Sequence, residues 1–276
     1  IFALNRDEYL GRPTHPIHFW EPDRNVLAPL DLEPPESQRG TWLGMTRDGR
    51  VAFVTNYLET PPMGSTTDKI SRGELVRSFL AAEQGSPLAD PIQYAQQVFS
   101  RRDRYAGFSL VLLDLHSSCG VYVTNRNSSD INAKDKADPD SCPGYILRLD
   151  PDILYGLSNS TIETEWPKVI KGKQRVGALL LDSDTTSVNG IHFPEKPADF
   201  AQFVCIPLMR ADSFMNVSDG YYASRTSHVI IVSNDDNVTV VERTFHPAKD
   251  AGADASEPVR KLHLHLTSPS NGGPTV

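Results

Sequence analysis

Paired β-prone runs constrain the fold of this chain more than any other feature. The segment TWLGMTRDGRVAFVTNYL (41–58) carries two such runs around Asp48-Gly49, a dipeptide suited to the positive φ of a tight hairpin turn. FSLVLLDL and CGVYVTN (108–125) make a second pair, and YILRL with ILYGLSN (145–159) a third. HVIIVSN and VTVVERTF flank the turn Asp235-Asp236-Asn237. Helical stretches lie between the pairs. SRGELVRSFLAAEQ (71–84) puts Leu75, Val76, Phe79 and Leu80 on one face, and Ser71 with Glu74 has the spacing of a capping box. Asp90 as N-cap and Pro91 in the first turn start a second helix that runs to about Arg102. Trp166 to Asp182 predicts a third, with Val169, Val176, Leu179 and Leu180 as its buried face, and DFAQFVCIPLMR (199–210) begins another. Strand pairs separated by helices predict an α+β fold with mostly antiparallel sheets, because a doubly wound parallel sheet alternates single strands and helices.

The rest of the chain predicts connections. Residues 1–4 read as a strand end, and 11–40, rich in Pro, Asp and Glu, as a long ordered loop. A Pro/Gly/Thr linker spans 60–68. The polar stretch 127–144 reads as a flexible insertion, and 247–276 as a largely disordered tail whose LHLHL (262–266) is its one strand-like piece. No repeat or boundary divides 1–246, which is expected to be one domain. With 276 residues the chain is long enough for a full core. A net charge of -8 and the lack of a Lys/Arg cluster argue against nucleic acid and anionic membranes as partners. Three cysteines, none in a C-x-x-C pair, argue against a disulfide framework or zinc motif and suit a reducing compartment. Sequons at Asn127, Asn159, Asn216 and Asn237 are a weak signal for secretion. No apolar run approaches the roughly 20 residues of a membrane span. The first residue is Ile1 rather than Met, so a preceding segment is expected.

Three stretches could carry chemistry. IFALNRDE runs four apolar residues straight into Asn5, Arg6, Asp7 and Glu8. Either Arg6 pairs with Asp7 or Glu8 in a solvated turn, or the strand end presents Asp7 and Asn5 to a pocket whose geometry Arg6 and Glu8 fix. A carboxylate in that place can orient an amine or hold a nucleophile. Asn56 in TNYL and Asn159 in GLSN also read as polar strand ends. Each is either a connection or an amide donor for a developing oxyanion. Arg225 precedes an apolar strand, as a surface ion pair or as a partner for a carboxylate or thiolate. No G-x-S-x-G elbow, G-x-G-x-x-G helix start or P-loop occurs. His15, His18, His263 and His265 read as solvated and Cys205 as core, so neither a metal site nor a cofactor is expected.

Taken in order, ALNRDEYLGRP, GTWLGM, TNYL, SRGELV, YAGFSLVLLDL, YGLSN with ETEWPK, and SRTSHVIIV resemble the NRDE family, also called the Transport and Golgi organisation protein 2 family. The likeness runs from about residue 3 to 245 and leaves out the insertion and the tail. It implies a four-layer αββα sandwich of the N-terminal-nucleophile hydrolase type. Members of the family typically begin Met-Cys, and removal of Met would leave a cysteine whose own α-amine serves as base. That cysteine and its strand would precede Ile1. Through the more distant bile-salt and penicillin amidases, the resemblance gives catalytic roles to Asp7, Asn56, Asn159 and Arg225, with Asn5, Arg6 and Glu8 binding. It implies a cytoplasmic protein, Golgi- or mitochondrion-associated, acting in Golgi organisation and protein secretion. Its ligand would be a small amphipathic molecule, lipid-like, acyl or haem. The rival implication is a cysteine hydrolase of linear amide C–N bonds.

Overall fold

The computed structural model describes residues 1–21, 24–59, 69–127, 143–181, 209–210, 220–246 and 259–268. The linker 60–68, most of the insertion 127–144, most of the stretch 199–210 and most of the tail lie outside them. In chain order the strands are β1 Phe2–Tyr9, β2 Thr14–Phe19, β3 Val26–Asp31, β4 Leu43–Thr46 and β5 Arg50–Asn56. Helices α1 Gly73–Leu80 and α2 Pro91–Ser100 follow, then β6 Phe108–Asp114, β7 Cys119–Thr124, β8 Tyr145–Leu149 and helix α3 Pro167–Leu181. Strands β9 Met209–Arg210, β10 Tyr221–Val232, β11 Asn237–Thr244 and β12 Val259–His265 complete the described elements. The α+β class with mostly antiparallel sheets is as expected.

The chain divides into two compact units. The first comprises Ile1–Ile17, Leu30–Glu36 and Pro167–Leu266. Its sheet has the order β1-β10-β11-β12, with β9 on β10, and every pairing in it is antiparallel. The opening strand therefore pairs with one more than two hundred residues later, between Phe2↔Ile230 and Tyr9↔Tyr222. The LHLHL alternation forms β12 as expected, with Leu264 buried.

The second unit comprises His18–Pro29, Ser37–Trp166 and Thr267–Val276. Strands β2 to β8 follow one another in sequence order in a seven-stranded sheet. The β4–β5 hairpin turns at Gly49, whose φ of +84° is open to glycine at no steric cost. Alternation sorts the sheet's side chains. Ala52, Val54, Phe108, Leu110, Leu112, Val121 and Val123 pack with Leu75, Val76, Phe79 and Leu80 of α1 and Tyr94, Ala95 and Val98 of α2. The intervening Val111, Tyr122 and Leu149 pack with Ile162, Tyr155 and Leu157. Both faces of the central strands are thus covered, which accounts for the unbroken apolar run FSLVLLDL. Gly40 and Gly73, in two of the motifs quoted above, let two backbones touch: a Cβ on Gly40 would lie 2.4 Å from the carbonyl carbon of Gly73.

Several local expectations are corrected. The loop expected over 11–40 contains β2 and β3, each with a proline. Pro cannot donate to a ladder. Pro16 sits in β2 at the end of the sheet, and β3 pairs with β4 only at Val26 and Leu27, before Pro29. ILYGLSN is not a strand, because its apolar residues Tyr155 and Leu157 pack onto the sheet face rather than joining the ladder. The capping box at Ser71 does not form. Arg72 is the N-cap, without a side-chain bond, while Glu74 accepts from Ser78 Oγ and Tyr105 Oη at 2.7 Å each. Asp90 caps α2 as expected, accepting from Gln93 N–H at 2.8 Å.

Candidate functional site

The NRDE tetrapeptide lies inside β1, which continues to Tyr9, and is neither a turn nor a strand end. Strand alternation therefore puts Asn5 and Asp7 on one face and Arg6 and Glu8 on the other. The partner strand is adapted to this pattern. Asn5 pairs with Ser227 and Arg6 with Thr226, but Asp7 pairs with Ser224, so Arg225 is the extra residue of a β-bulge. In a regular strand Ser224 and Ser227, three apart, would face opposite ways. The bulge brings both onto the Asn5–Asp7 face. Ser227 Oγ donates to Asn5 Oδ1 at 2.6 Å, and Ser224 Oγ donates to Asp7 Oδ1. The other carboxylate oxygen of Asp7 accepts from Lys168 Nζ at 2.9 Å. Lys168 stands in the first turn of α3, where the helix dipole disfavours a cation, so the Asp7 carboxylate compensates its position. Tyr222, on the neighbouring pair, meets Tyr9 edge-on at 5.4 Å, and burial, then the charges of Asp7 and Glu8, push its phenol up.

On the other side of β1 the charges interlock. Arg6, 7% exposed, lies 3.7 Å from Glu8, which lies 3.7 Å from Arg12. Arg12 clasps Asp31 through Nε at 3.0 Å and Nη2 at 2.6 Å. Burial lowers the Arg6 guanidinium to about 10; Glu8 opposes this, and Arg225 and Arg12 add to it. Arg225 donates to the carbonyls of Tyr9, Arg12 and His246, tying the turn after β1 to the end of β11. Burial lowers its pKa too. Farther along the sheet, Glu242 accepts from His228 Nε2 at 3.0 Å and from Ile17 N–H at 3.1 Å. Burial alone would raise the Glu242 carboxyl; its hydrogen bond to His228 and that residue's charge outweigh it, so the group is held below the usual carboxylate range.

Asn56 and Asn159 belong to the second unit. Asn56 ends β5 and is exposed. Asn159 is half-buried in an irregular segment, not at a strand end. The two segments are stitched together: Leu58 N–H donates to Asn159 O at 2.8 Å and Thr55 Oγ1 to Ser158 O at 2.8 Å. Asn159 Oδ1 accepts from Ser158 Oγ at 3.4 Å. Cys119, beneath the helices, is buried, and desolvation pushes its thiol up, so it does not fill the part of an activated nucleophile. Among the described residues no cluster of three or more His, Cys, Asp or Glu could hold a metal, and no helix is long and apolar enough to cross a membrane.

Sequence reasoning missed Lys168, Ser224 and Ser227 as partners of the NRDE strand. Lys168 had a signal, its place in the ETEWPK motif. Ser224 and Ser227 likewise stand in the SRTSHVIIV motif, but only the bulge turns them to one face.

The pattern of the Transport and Golgi organisation 2 family matches residues 1–247. The chain is 31% identical over 262 residues to the Transport and Golgi organization 2 homolog of Mus musculus, covering 89% of this chain and 86% of the relative. It is 29% identical over 266 residues to the Transport and Golgi organization protein 2 homolog of Homo sapiens, with the same coverage. The Transport and Golgi organization protein 2 of Drosophila melanogaster is 23% identical over 278 residues, 96% of this chain and 90% of the relative.

Proposed function

This chain belongs to the Transport and Golgi organisation 2 family, and from that premise we propose that it serves Golgi organisation and secretion by handling a small amphipathic molecule at the Asn5–Asp7 face of β1. One observation carries the reading. Both oxygens of the Asp7 carboxylate are engaged, by Ser224 and Lys168, beside an equally fixed Asn5. Side chains held on a rigid strand in this way are pre-organised for a polar group, an amine or an amide, on a ligand. The proposed setting is the cytoplasm, at the Golgi or the mitochondrion, with residues 1–246 acting as one family domain of the αββα nucleophile-hydrolase type.

The same observation favours a second, sharper reading, a cysteine hydrolase of linear amides. A cysteine thiolate adds to the amide carbonyl, with its own α-amine holding the thiol proton. Asn159 and Asn56 take the oxyanion role that the resemblance gives them. The C–N bond breaks, the leaving amine takes the proton, and water then hydrolyses the thioester to a carboxylic acid and the free thiol. Asp7 orients the α-amine, Lys168 and Ser224 hold Asp7, and Arg225 with Arg6 and Glu8 fixes the strand turn.

The test uses full-length protein and a fluorogenic acyl amide. Burst acylation that is lost in Asp7→Asn, and reduced about 10²-fold in Lys168→Met with the melting temperature little changed, supports the hydrolase. Lipid, acyl-CoA or haem binding that weakens in Asp7→Asn without turnover supports the handling role alone. The site reading is wrong if neither substitution alters turnover or binding of any of these probes.

A further inference from the structure

Strand β12 turns two histidines to solvent that the proposed function does not use. His263 and His265 stand two apart in Val259–His265, so alternation puts both on one face, while Leu264 between them is buried on the other. Each faces a polar residue of β11 across the ladder, His263 opposite Thr239 and His265 opposite Asn237. From the sequence these histidines read as solvated. In the structure both rings are tied through Nδ1, to Thr239 Oγ1 and to Asn237 Oδ1, each at 3.2 Å.

The bond to Asn237 fixes a proton. Asn237 Nδ2 donates to Asp235 Oδ2 at 2.6 Å. A carboxylate only accepts, so the amide nitrogen faces Asp235 and the amide oxygen faces His265. His265 Nδ1 therefore carries the hydrogen, and Nε2 of the neutral ring carries a lone pair. Asp235 is anchored in turn, accepting from Ser233 Oγ and from Asn237 N–H. Its bonds from Ser233 and Asn237 hold the carboxyl below the usual carboxylate range. Acid, amide and ring N–H in line are the outer support that a metal-bound imidazole needs. His263 makes the matching bond to a hydroxyl, which can accept from Nδ1–H. Neither Nε2 has a partner among the described residues, and both histidines are exposed.

We propose that His263 and His265 bind a divalent transition-metal ion through their Nε2 atoms, supported by Asn237, with Cu²⁺ preferred over Zn²⁺ and water completing the coordination. Same-face neighbours on a strand are about 6–7 Å apart at their bases. Two imidazole rings can close that span on an ion about 2.0–2.1 Å from each nitrogen. Imidazole suits copper and zinc, whereas magnesium and calcium take oxygen ligands. An open pair of ligands imposes no geometry, so the intrinsic order of the divalent ions sets the preference for copper. Lys261, the next residue on this face, is exposed and its long stem lets the ammonium stay in water, away from the ion.

Titration calorimetry and copper electron paramagnetic resonance test this on untagged, metal-stripped full-length protein, with Cu²⁺, Zn²⁺ and Mg²⁺ as probes. One saturable Cu²⁺ per chain is expected, with couplings from two imidazole nitrogens, weaker binding of Zn²⁺ and no heat from Mg²⁺. His263→Ala and His265→Ala each weaken Cu²⁺ binding more than about 10-fold and leave one nitrogen coupling. Asn237→Ala, which removes the support but no ligand, weakens binding about 10-fold and keeps both couplings. His116→Ala, at an exposed histidine elsewhere, leaves binding unchanged. The proposal is overturned if Cu²⁺ gives no saturable heat, or if His263→Ala or His265→Ala binds as wild type does. It is equally overturned if His116→Ala weakens binding as much as they do, or if Asn237→Ala binds unchanged, with every variant melting as wild type.

Discussion

Both units bury polar side chains alongside apolar ones, and they differ in where the polar ones lie. In the five-stranded unit the interior of the sheet holds Arg6, Ser224, Arg225, Ser227, His228 and Glu242, each 7% exposed or less. In the other unit helices α1 and α2 seal an apolar cluster in which Leu75, Val76, Phe79, Leu80, Ala95 and Val98 are wholly buried. Burying charge is unfavourable unless it is paired and hydrogen-bonded. The first unit meets that requirement residue by residue, through serine on asparagine, lysine on aspartate and histidine on glutamate. The second meets it too, with Arg50 on Asp48 at 3.1 Å and Asn125 bonded to three backbone carbonyls, and gains further from the apolar area that its helices remove from water. Matched polar groups are thus buried in both units, along β1, β10 and β11 in the first and beside the apolar helix–sheet cluster in the second.

The comparison breaks most easily at its apolar end. Phe79→Ala empties a sealed site and is expected to cost about 3–5 kcal/mol in denaturant unfolding. A loss under about 1 kcal/mol would mean that the helix layer is not a tight core. Glu242→Ala leaves His228 buried without its acid and is expected to cost about 3 kcal/mol. Because the folded carboxyl titrates below its unfolded value of 4.5, its contribution is present above about pH 4.5 and fades as pH falls through the folded value. Wild type should lose stability over that acid range with a slope that Glu242→Ala lacks, and equal slopes would remove Glu242 from the account. Asp90→Ala, which deletes the bond to Gln93 N–H, is expected to cost about 1 kcal/mol. Ser71→Ala is expected to fall within about 0.5 kcal/mol of wild type, since its side chain does not cap α1; a larger loss would restore the capping box.

The helices and hairpins were legible because their signals are local. Leu75, Val76, Phe79 and Leu80 repeat at helical spacing, and Asp48-Gly49 turns the chain whatever surrounds it. The loop reading of 11–40 failed because Pro16 and Pro29 signal breaks. Whether a proline interrupts a strand depends on whether that edge is paired, and pairing is a tertiary fact. The strand reading of ILYGLSN failed for the converse reason: an apolar alternation records contact with a surface, not membership of a ladder.

For the candidate site, the sequence by itself singled out Asn5 and Asp7; that they share a face followed only once the structure placed them inside β1, where alternation applies. It also supplied the ordered motifs that match the family. It could not decide what holds them. Asp7 meets Lys168 and Ser224 from 161 and 217 residues away, and Ser224 faces it only because β10 bulges at Arg225. A register shift arises from how two distant strands align, so the identity of each residue was set in the sequence while the direction in which Ser224 and Arg225 point was set by the pairing.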